Sequence, residues 1–265
     1  MPADTADAPV RRESEASSTF AGLRRFNLSM AALHAVQGVL MLALSNDFAL
    51  PVTTAFLRYD ATSDSLDPRL DTVAELRIGP LVAAFLFVSA IAHLVVSLPR
   101  VFGWYTDRLG RGANYARWAE YSVSSSLMMV VIGMLVGIYD VAALILLFAL
   151  NATMIMFGWV MELHHERTGR ADWTSYAFGC FAGAVPWVAV AIYLVGAGNA
   201  PTFVYWIYVS IFVAFNVFAV NMLLQYRRIG PWRDYLYGER AYIVLSLVAK
   251  SLLAWQVFAG TLRPN

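Results

Sequence analysis

Ala241-Tyr-Ile-Val-Leu-Ser-Leu-Val-Ala-Lys250-Ser-Leu-Leu-Ala-Trp-Gln-Val-Phe-Ala-Gly260 is the stretch that decides how the rest of the chain is read. It is about 20 residues of mostly apolar character, enough for a helix to cross the hydrocarbon layer of a bilayer. Near its middle stands one charge, Lys250. An amine at that depth costs roughly 2.5–3.5 kcal/mol on insertion scales, so it needs a partner or a chemical use. Of the 19 basic residues, Lys250 is the one lysine and the rest are arginines. A guanidinium keeps its proton, whereas a buried amine can lose it and attack an aldehyde to form a Schiff base. The rival reading is a lysine that snorkels or lines a water-filled cavity. Mid-helix depth opposes snorkelling, because the side chain reaches only about four carbons.

Working outward, the composition is that of a polytopic membrane protein. The chain is 59% hydrophobic and 14% charged, with a mean hydropathy of +0.59, against about 25% charged residues in soluble domains. The net charge of +1 comes with no basic stripe or RNA motif, which argues against a nucleic-acid partner. Cys180 is the single cysteine, so an intrachain disulfide is excluded.

Residues 1–22 are polar and of mixed charge, and read as a disordered tail rather than a signal peptide. The domain proper is expected over 23–265. Its apolar runs are Phe26–Ser45, Ile78–Leu98, Trp118–Ile138, Val141–Met161, Trp173–Val195, Phe203–Leu224 and Ala241–Gly260. The pattern predicts an all-α bundle of seven transmembrane helices. Fourteen of the arginines fall in the tail and the even-numbered connections, and four on the other side. That asymmetry predicts a cytoplasmic N-terminus and an extracellular C-terminus in the plasma membrane. The long external loop, 46–77, carries β-branched and aromatic residues in Phe48–Tyr59 that suit a hairpin. Asp60, Asp64, Asp67 and Asp71 make its far arm acidic, but their spacing fits no EF-hand pattern, and a solvated cap over the bundle is expected.

Among the 18 acids, Glu120 is the one that falls inside an apolar run away from its edge. It is expected to be the counterion of Lys250, since an intramembrane acid and base are each costly alone. The competing reading pairs it with Arg117 at helical spacing. Depth is an obstacle. Counted at about 1.5 Å per residue from Arg117 and Arg240, Glu120 lies at about 5 Å and Lys250 at about 15 Å. The lean of the lysine toward its helix N-terminus narrows this gap. His34, His93, Glu120 and Ser246 are expected to form a polar cavity, with Ser124 one turn from Glu120 on its face. No further ligands at matched depth point to zinc or any other metal. Gly179-Cys-Phe-Ala-Gly183 and Gly133-Met-Leu-Val-Gly137 are small-xxx-small patterns, and Gly179/Gly183 is the better candidate for an interface between protomers.

Seven spans with a lone lysine midway along the seventh resemble a retinal-binding rhodopsin. Arg240-Ala-Tyr-Ile-Val-Leu-Ser246-Leu-Val-Ala-Lys250 resembles the seventh helix of the heliorhodopsins, and Arg117-Trp-Ala-Glu120-Tyr-Ser-Val-Ser-Ser-Ser126 their third. Asn151–Trp159 and Phe178–Trp187 are similar to their fourth and fifth helices. The resemblance covers about residues 22–265. It implies a rhodopsin-like fold, all-trans retinal bound covalently to Lys250, and Glu120 as counterion. His34, His93 and Ser246 match the family's polar cavity and Schiff-base surroundings. Gln37, Tyr121, Asn151, Met154, Gly158, Phe212, Phe215, Asn216 and Trp255 match pocket positions. The resemblance also implies the inverted topology that the arginine count predicts independently, and a homodimer through helices four and five in which the first external loop takes part.

The functional expectation is a light-sensing photoreceptor, not an enzyme, with a slow photocycle, an unknown signalling partner and no net ion pumping. Modulation of a partner protein under light is one variant of this. The first rival is a light-driven pump or channel. Pumps among the ordinary microbial rhodopsins usually carry a second carboxylate on helix three and an Asp one turn before the lysine. Here the next acid after Glu120 is Asp140, and Ser246 precedes the lysine, so an acidic relay is lacking. The second rival is a retinal-free transporter that binds an anion at Lys250. It would be favoured by inverted repeats or broken helices, which the sequence does not show.

Overall fold

The computed structural model describes residues 7–264, with side chains from Phe20 onward. Among these residues seven helices are long and apolar enough to cross a membrane. They are α1 (Asp7–Leu44), α2 (Ile78–Ser97), α4 (Tyr115–Leu135), α5 (Val141–Thr168), α6 (Trp173–Gly196), α7 (Thr202–Tyr226) and α8 (Tyr235–Val257). A short amphipathic helix, α3 (Pro99–Gly110), lies between α2 and α4. The apolar part of α1 begins at Phe20.

Polar residues bounding the apolar runs set the helix starts. Asn114, Asp140, Asp172 and Asp234 each accept a backbone N–H of the first turn of α4, α5, α6 and α8. Asp172 lies outside the spans, and the Ser175 hydroxyl bonded to it holds its carboxyl below the usual range. One boundary differs from the sequence reading. From Asp7 on, the segment expected to be a disordered tail is helix continuous with α1. Ala8, Glu13, Glu15 and Ala16 are good helix formers that can extend a helix already nucleated by the span. Residues 1–6 of that expected tail lie outside the described residues.

The expected hairpin is present as β1 (Ala49–Asp60) and β2 (Ser65–Arg77), antiparallel, with Ala49 opposite Arg77 and a bulge at Val52/Thr53. It does not cap the bundle. Its root is anchored: Val52 is buried, and the Thr53 N–H donates to the Tyr139 carbonyl at 2.8 Å. Beyond the bulge the ribbon projects. One face carries Arg58 paired with Asp71 and Arg69 near Asp60. The other carries Leu57, Tyr59, Leu66 and Leu70, all exposed. Alternation at period two separates the faces.

The two small-xxx-small patterns pack within the chain. A Cβ at Gly179 would lie 3.3 Å from Phe157 Cβ, and one at Gly183 would lie 2.4 Å from Met154 Sδ. Both glycines therefore bring α6 close to α5 of the same chain, which corrects their assignment to an interface between protomers. Gly133 does the same between α4 and Leu147 of α5, 2.8 Å away. The bundle interior is divided along its length. Past Lys250 toward the C-terminal end of α8 it is apolar, built from Met129, Ile132, Met134, Val190, Ile207, Ile211, Leu253 and Val257. Toward the N-terminal end of α8 lie the buried carboxylates.

Candidate functional site

Lys250 faces the bundle interior one turn after Ser246, and both are buried. Its side chain runs back along α8, as helical side chains do. Nζ donates to Ser246 Oγ at 2.8 Å and to Glu120 Oε1 at 2.8 Å. Ser89 of α2 donates to the same Glu120 oxygen at 2.6 Å, a partner absent from the sequence reading. The Tyr121 ring lies 5.1 Å from Nζ, and the Ser124 side chain is fully buried close by on α4. The depth obstacle thus disappears. The lysine reaches back a full turn, and Arg117, treated as a surface marker, is itself buried.

A cavity opens from Lys250 between α4, α5, α6, α7 and α8. Met128, Met154, Ile155, Phe215, Phe218 and Met222 form its walls, with Gly158 and Gly179 on α5 and α6. Trp118, Tyr121 and Tyr242 line it as well, and Ser124, Ser125 and Ser246 are its polar spots near the lysine. An apolar space with one primary amine suits an apolar aldehyde. Asn151 stands behind this wall, donating to Ser125 Oγ at 2.8 Å and Ser126 Oγ at 3.1 Å.

Five expected pocket residues do not line the cavity: Asn151 and four others. Gln37 and Trp255 bond to each other at 3.1 Å between α1 and α8, because Trp255, five residues past Lys250, is off its face. Phe212 packs edge-on against Trp187, with ring centroids 5.3 Å apart, beyond the end of the cavity. Asn216 is exposed and donates to the Phe212 carbonyl of its own helix at 2.8 Å.

The histidines sit beside Glu120. His34 is buried and stacks on His93, with centroids 5.8 Å apart and planes 7° from parallel. His93 Nδ1 lies 2.8 Å from Asn27 Oδ1. A second, smaller cavity is lined by Asn27, His93, Tyr105, Asn114, Arg117 and Glu120 among others. Burial pushes the Tyr105 hydroxyl of α3 well above its usual range, so it is neutral there. His93 and Glu120 share this polar space, His34 lies behind His93, and Ser246 faces the lysine cavity instead.

The family model described as Heliorhodopsin matches residues 23–262. This chain belongs to the heliorhodopsin family. Family membership implies a retinal chromophore, and the lysine cavity fits one. Solved structures of similar fold include a light-driven proton pump from Leptosphaeria maculans, with a TM-score of 0.61 at 13% identity over 89% of this chain and 94% of that one. The transmembrane domain and linker of the Salpingoeca rosetta rhodopsin phosphodiesterase gives 0.63 at 12% identity, covering 94% and 74%. Exiguobacterium sibiricum rhodopsin gives 0.60 at 16%, covering 92% and 96%. At these identities the likeness shows the fold alone. No curated protein sequence matches the chain. The heliorhodopsin is thus a multi-pass membrane protein of rhodopsin fold.

One cluster in this heliorhodopsin escaped the sequence reading. Arg117 does not pair with Glu120. Its guanidinium bonds Glu162 Oε2 at 2.7 Å and also Glu239, and it lies 4.4 Å over the Trp118 ring and 4.1 Å over the Tyr242 ring. The Asn114 N–H donates to Glu162 Oε1 at 2.6 Å, and Asn114 Nδ2 to Glu239 Oε2 at 2.7 Å. Glu120 is therefore one of three buried carboxylates among the described residues. The other two were missed because Glu162 falls one residue past the apolar run ending at Met161, and Glu239 just before the run opening at Ala241. Their helices continue beyond those runs.

Breaking a buried ion pair by removing one partner costs about 3–5 kcal/mol. Arg117→Met leaves two carboxylates buried without their cation. Its thermal midpoint in detergent, read by circular dichroism, is expected to fall sharply. Adding Glu162→Gln and Glu239→Gln is expected to restore much of the loss. An unchanged midpoint for Arg117→Met alone contradicts this role.

Proposed function

We propose that this heliorhodopsin is a light-sensing photoreceptor that carries all-trans retinal covalently on Lys250 and moves no net ions. The observation that carries the reading is the buried triad of Lys250, Glu120 and Ser246 at the end of an apolar cavity. When bound, retinal supplies a conjugated aldehyde that condenses with an amine, absorbs visible light and isomerises. The protein's residues do the rest. Lys250 Nζ fixes one end of the cavity, and the aromatic and methionine walls exclude water. Glu120 places a negative charge beside the nitrogen, which favours its protonated form in a site where burial opposes it. Ser89 and Ser246 hold the two partners in register.

The distribution of carboxylates supports the absence of pumping. Among the described residues Glu120, Glu162 and Glu239 are the buried acids, and all lie toward one end. Beyond Lys250 the interior is the apolar cluster, and Asp140 is occupied as the cap of α5. A proton relay across that half would need groups that can take up and release it. A pigment that relaxes slowly without transport suits signalling by a shifted population of states. The arginine asymmetry supports a cytoplasmic N-terminus.

Four measurements test the reading. Wild type with all-trans retinal is expected to be coloured, and Lys250→Arg colourless, since no other lysine exists. Glu120→Gln is expected to lose its visible band at neutral pH in chloride-free buffer in favour of a near-ultraviolet one, because an opposite charge within about 4–6 Å raises the proton affinity of the nitrogen. Wild type is expected to shift to the red in acid as Glu120 takes up a proton. A Glu120→Gln protein that keeps both the visible band and the acid shift excludes Glu120 as counterion. In illuminated vesicles no pH change sensitive to a protonophore is expected, and finding one favours the pump. In intact cells a C-terminal tag is expected to be open to external protease and an N-terminal tag protected. The opposite pattern overturns the topology.

A further inference from the structure

We propose that Trp118 is the positioning residue through which the occupancy of the lysine cavity controls the buried Arg117–Glu162–Glu239 cluster. The inference rests on the retinal reading above and adds a route out of the pocket. It starts from spacing on α5, where Gly158 and Glu162 stand four residues apart and share a face. The Trp118 indole of α4 lies along that face. A Cβ at Gly158 would come within 2.5 Å of Trp118 Cζ3 and 2.6 Å of Cη2, so the missing side chain is what admits the ring. Gly158 and Trp118 both line the cavity. At the other edge of the same ring, Nε1 donates to Glu162 Oε1 at 2.8 Å. The Arg117 guanidinium covers one face at 4.4 Å.

An indole is rigid, with freedom only at its two side-chain torsions. A displacement of the benzo edge by a group in the cavity is therefore a displacement of the N–H at Glu162. Glu162 is fully buried, so a weakened bond there is not made good by solvent. The carboxylate must redistribute its bonds between Asn114 and Arg117, and Arg117 in turn carries Glu239. A small movement in the pocket becomes a rearrangement of charge at the N-terminal end of α4. Tyr242 is the competing carrier, because it also lines the cavity and stacks on Arg117 at 4.1 Å.

The test compares apoprotein and retinal-loaded protein in the dark, by infrared difference spectroscopy of the purified full chain. Loading wild type is expected to change a carboxyl band that is absent from Glu162→Gln, which assigns it to Glu162. Trp118→Phe keeps a ring but no N–H. It is expected to take up colour and to lose at least about three-fold of that band's amplitude. Gly158→Ala pushes the indole directly, so its apoprotein is expected to show the Glu162 band already shifted toward the loaded position. That readout needs no retinal and stands in if Trp118→Phe does not fold. A wild type that never takes up colour removes the retinal reading and this inference with it. A coloured wild type with no Glu162 band removes the inference alone. So does a coloured Trp118→Phe with the full band, or a band lost in Tyr242→Leu and kept in Trp118→Phe.

Discussion

A buried cation on α8 facing a buried anion on α4 is the constraint that the rest of the bundle serves. Lys250 and Glu120 are both buried, and taking both out of water costs several kcal/mol per ion unless geometry and hydrogen bonds compensate. The compensation comes from two hydroxyls, Ser246 on the lysine's own helix and Ser89 on α2. Three helices are thereby held in one register: α2, α4 and α8. The same contact sets where the apolar cavity begins, because the lysine must lean back along α8 to make it and leaves the space beside Ala249 and Met128 open.

Helix α4 carries a second charge centre three residues before the first. Arg117 turns to α5 and α8, while Glu120 turns to α2 and α8. The two centres remain separate: no salt bridge joins Arg117 to Glu120 among the described residues. Arg117 bonds two carboxylates and lies over two aromatic faces, and Glu120 bonds an ammonium and a hydroxyl. This separation leaves Glu120 available as the partner of the lysine nitrogen. A cation sharing Glu120 would draw off part of its charge. It also explains why the aromatic residues of α4 and α8 crowd this end of the bundle, since Trp118 and Tyr242 serve both the cavity wall and the arginine.

The parts of this arrangement that were legible in the sequence are those where cost forces a choice. A lysine and a glutamate in apolar runs must meet something, and the run lengths leave few elements on which to meet it. The hairpin was legible because β-branched residues cluster in Phe48–Tyr59, and its solvation was too, although its projection away from the bundle was not, since the same residues suit a capping or a projecting ribbon. Glu162 and Glu239 were hidden by the practice of ending a span where hydropathy falls. A helix can carry its charged residues inward past that point when a partner waits, as Arg117 does. Gln37, Phe212, Asn216 and Trp255 show a different limit. Periodicity says which residues share a face, but which face meets the cavity depends on how each helix is rotated against its neighbours. Gly179 and Gly183 fail for the same reason: the motif permits close approach without naming the helix that approaches.

The restriction of lysine to one interior position also changes how the molecule presents itself to chemistry. Every other cationic side chain in this sequence is an arginine, which neither acylating reagents nor the enzymes that acetylate or ubiquitinate ε-amines modify in that way. Lys250 itself is only 3% exposed. The exterior therefore offers no ε-amine to crosslinkers, to affinity tags that couple through amines, or to a cellular machinery that marks proteins at lysine. Reductive methylation, ordinarily a diffuse surface label, has on this chain a single ε-amine to report on, and that one is interior.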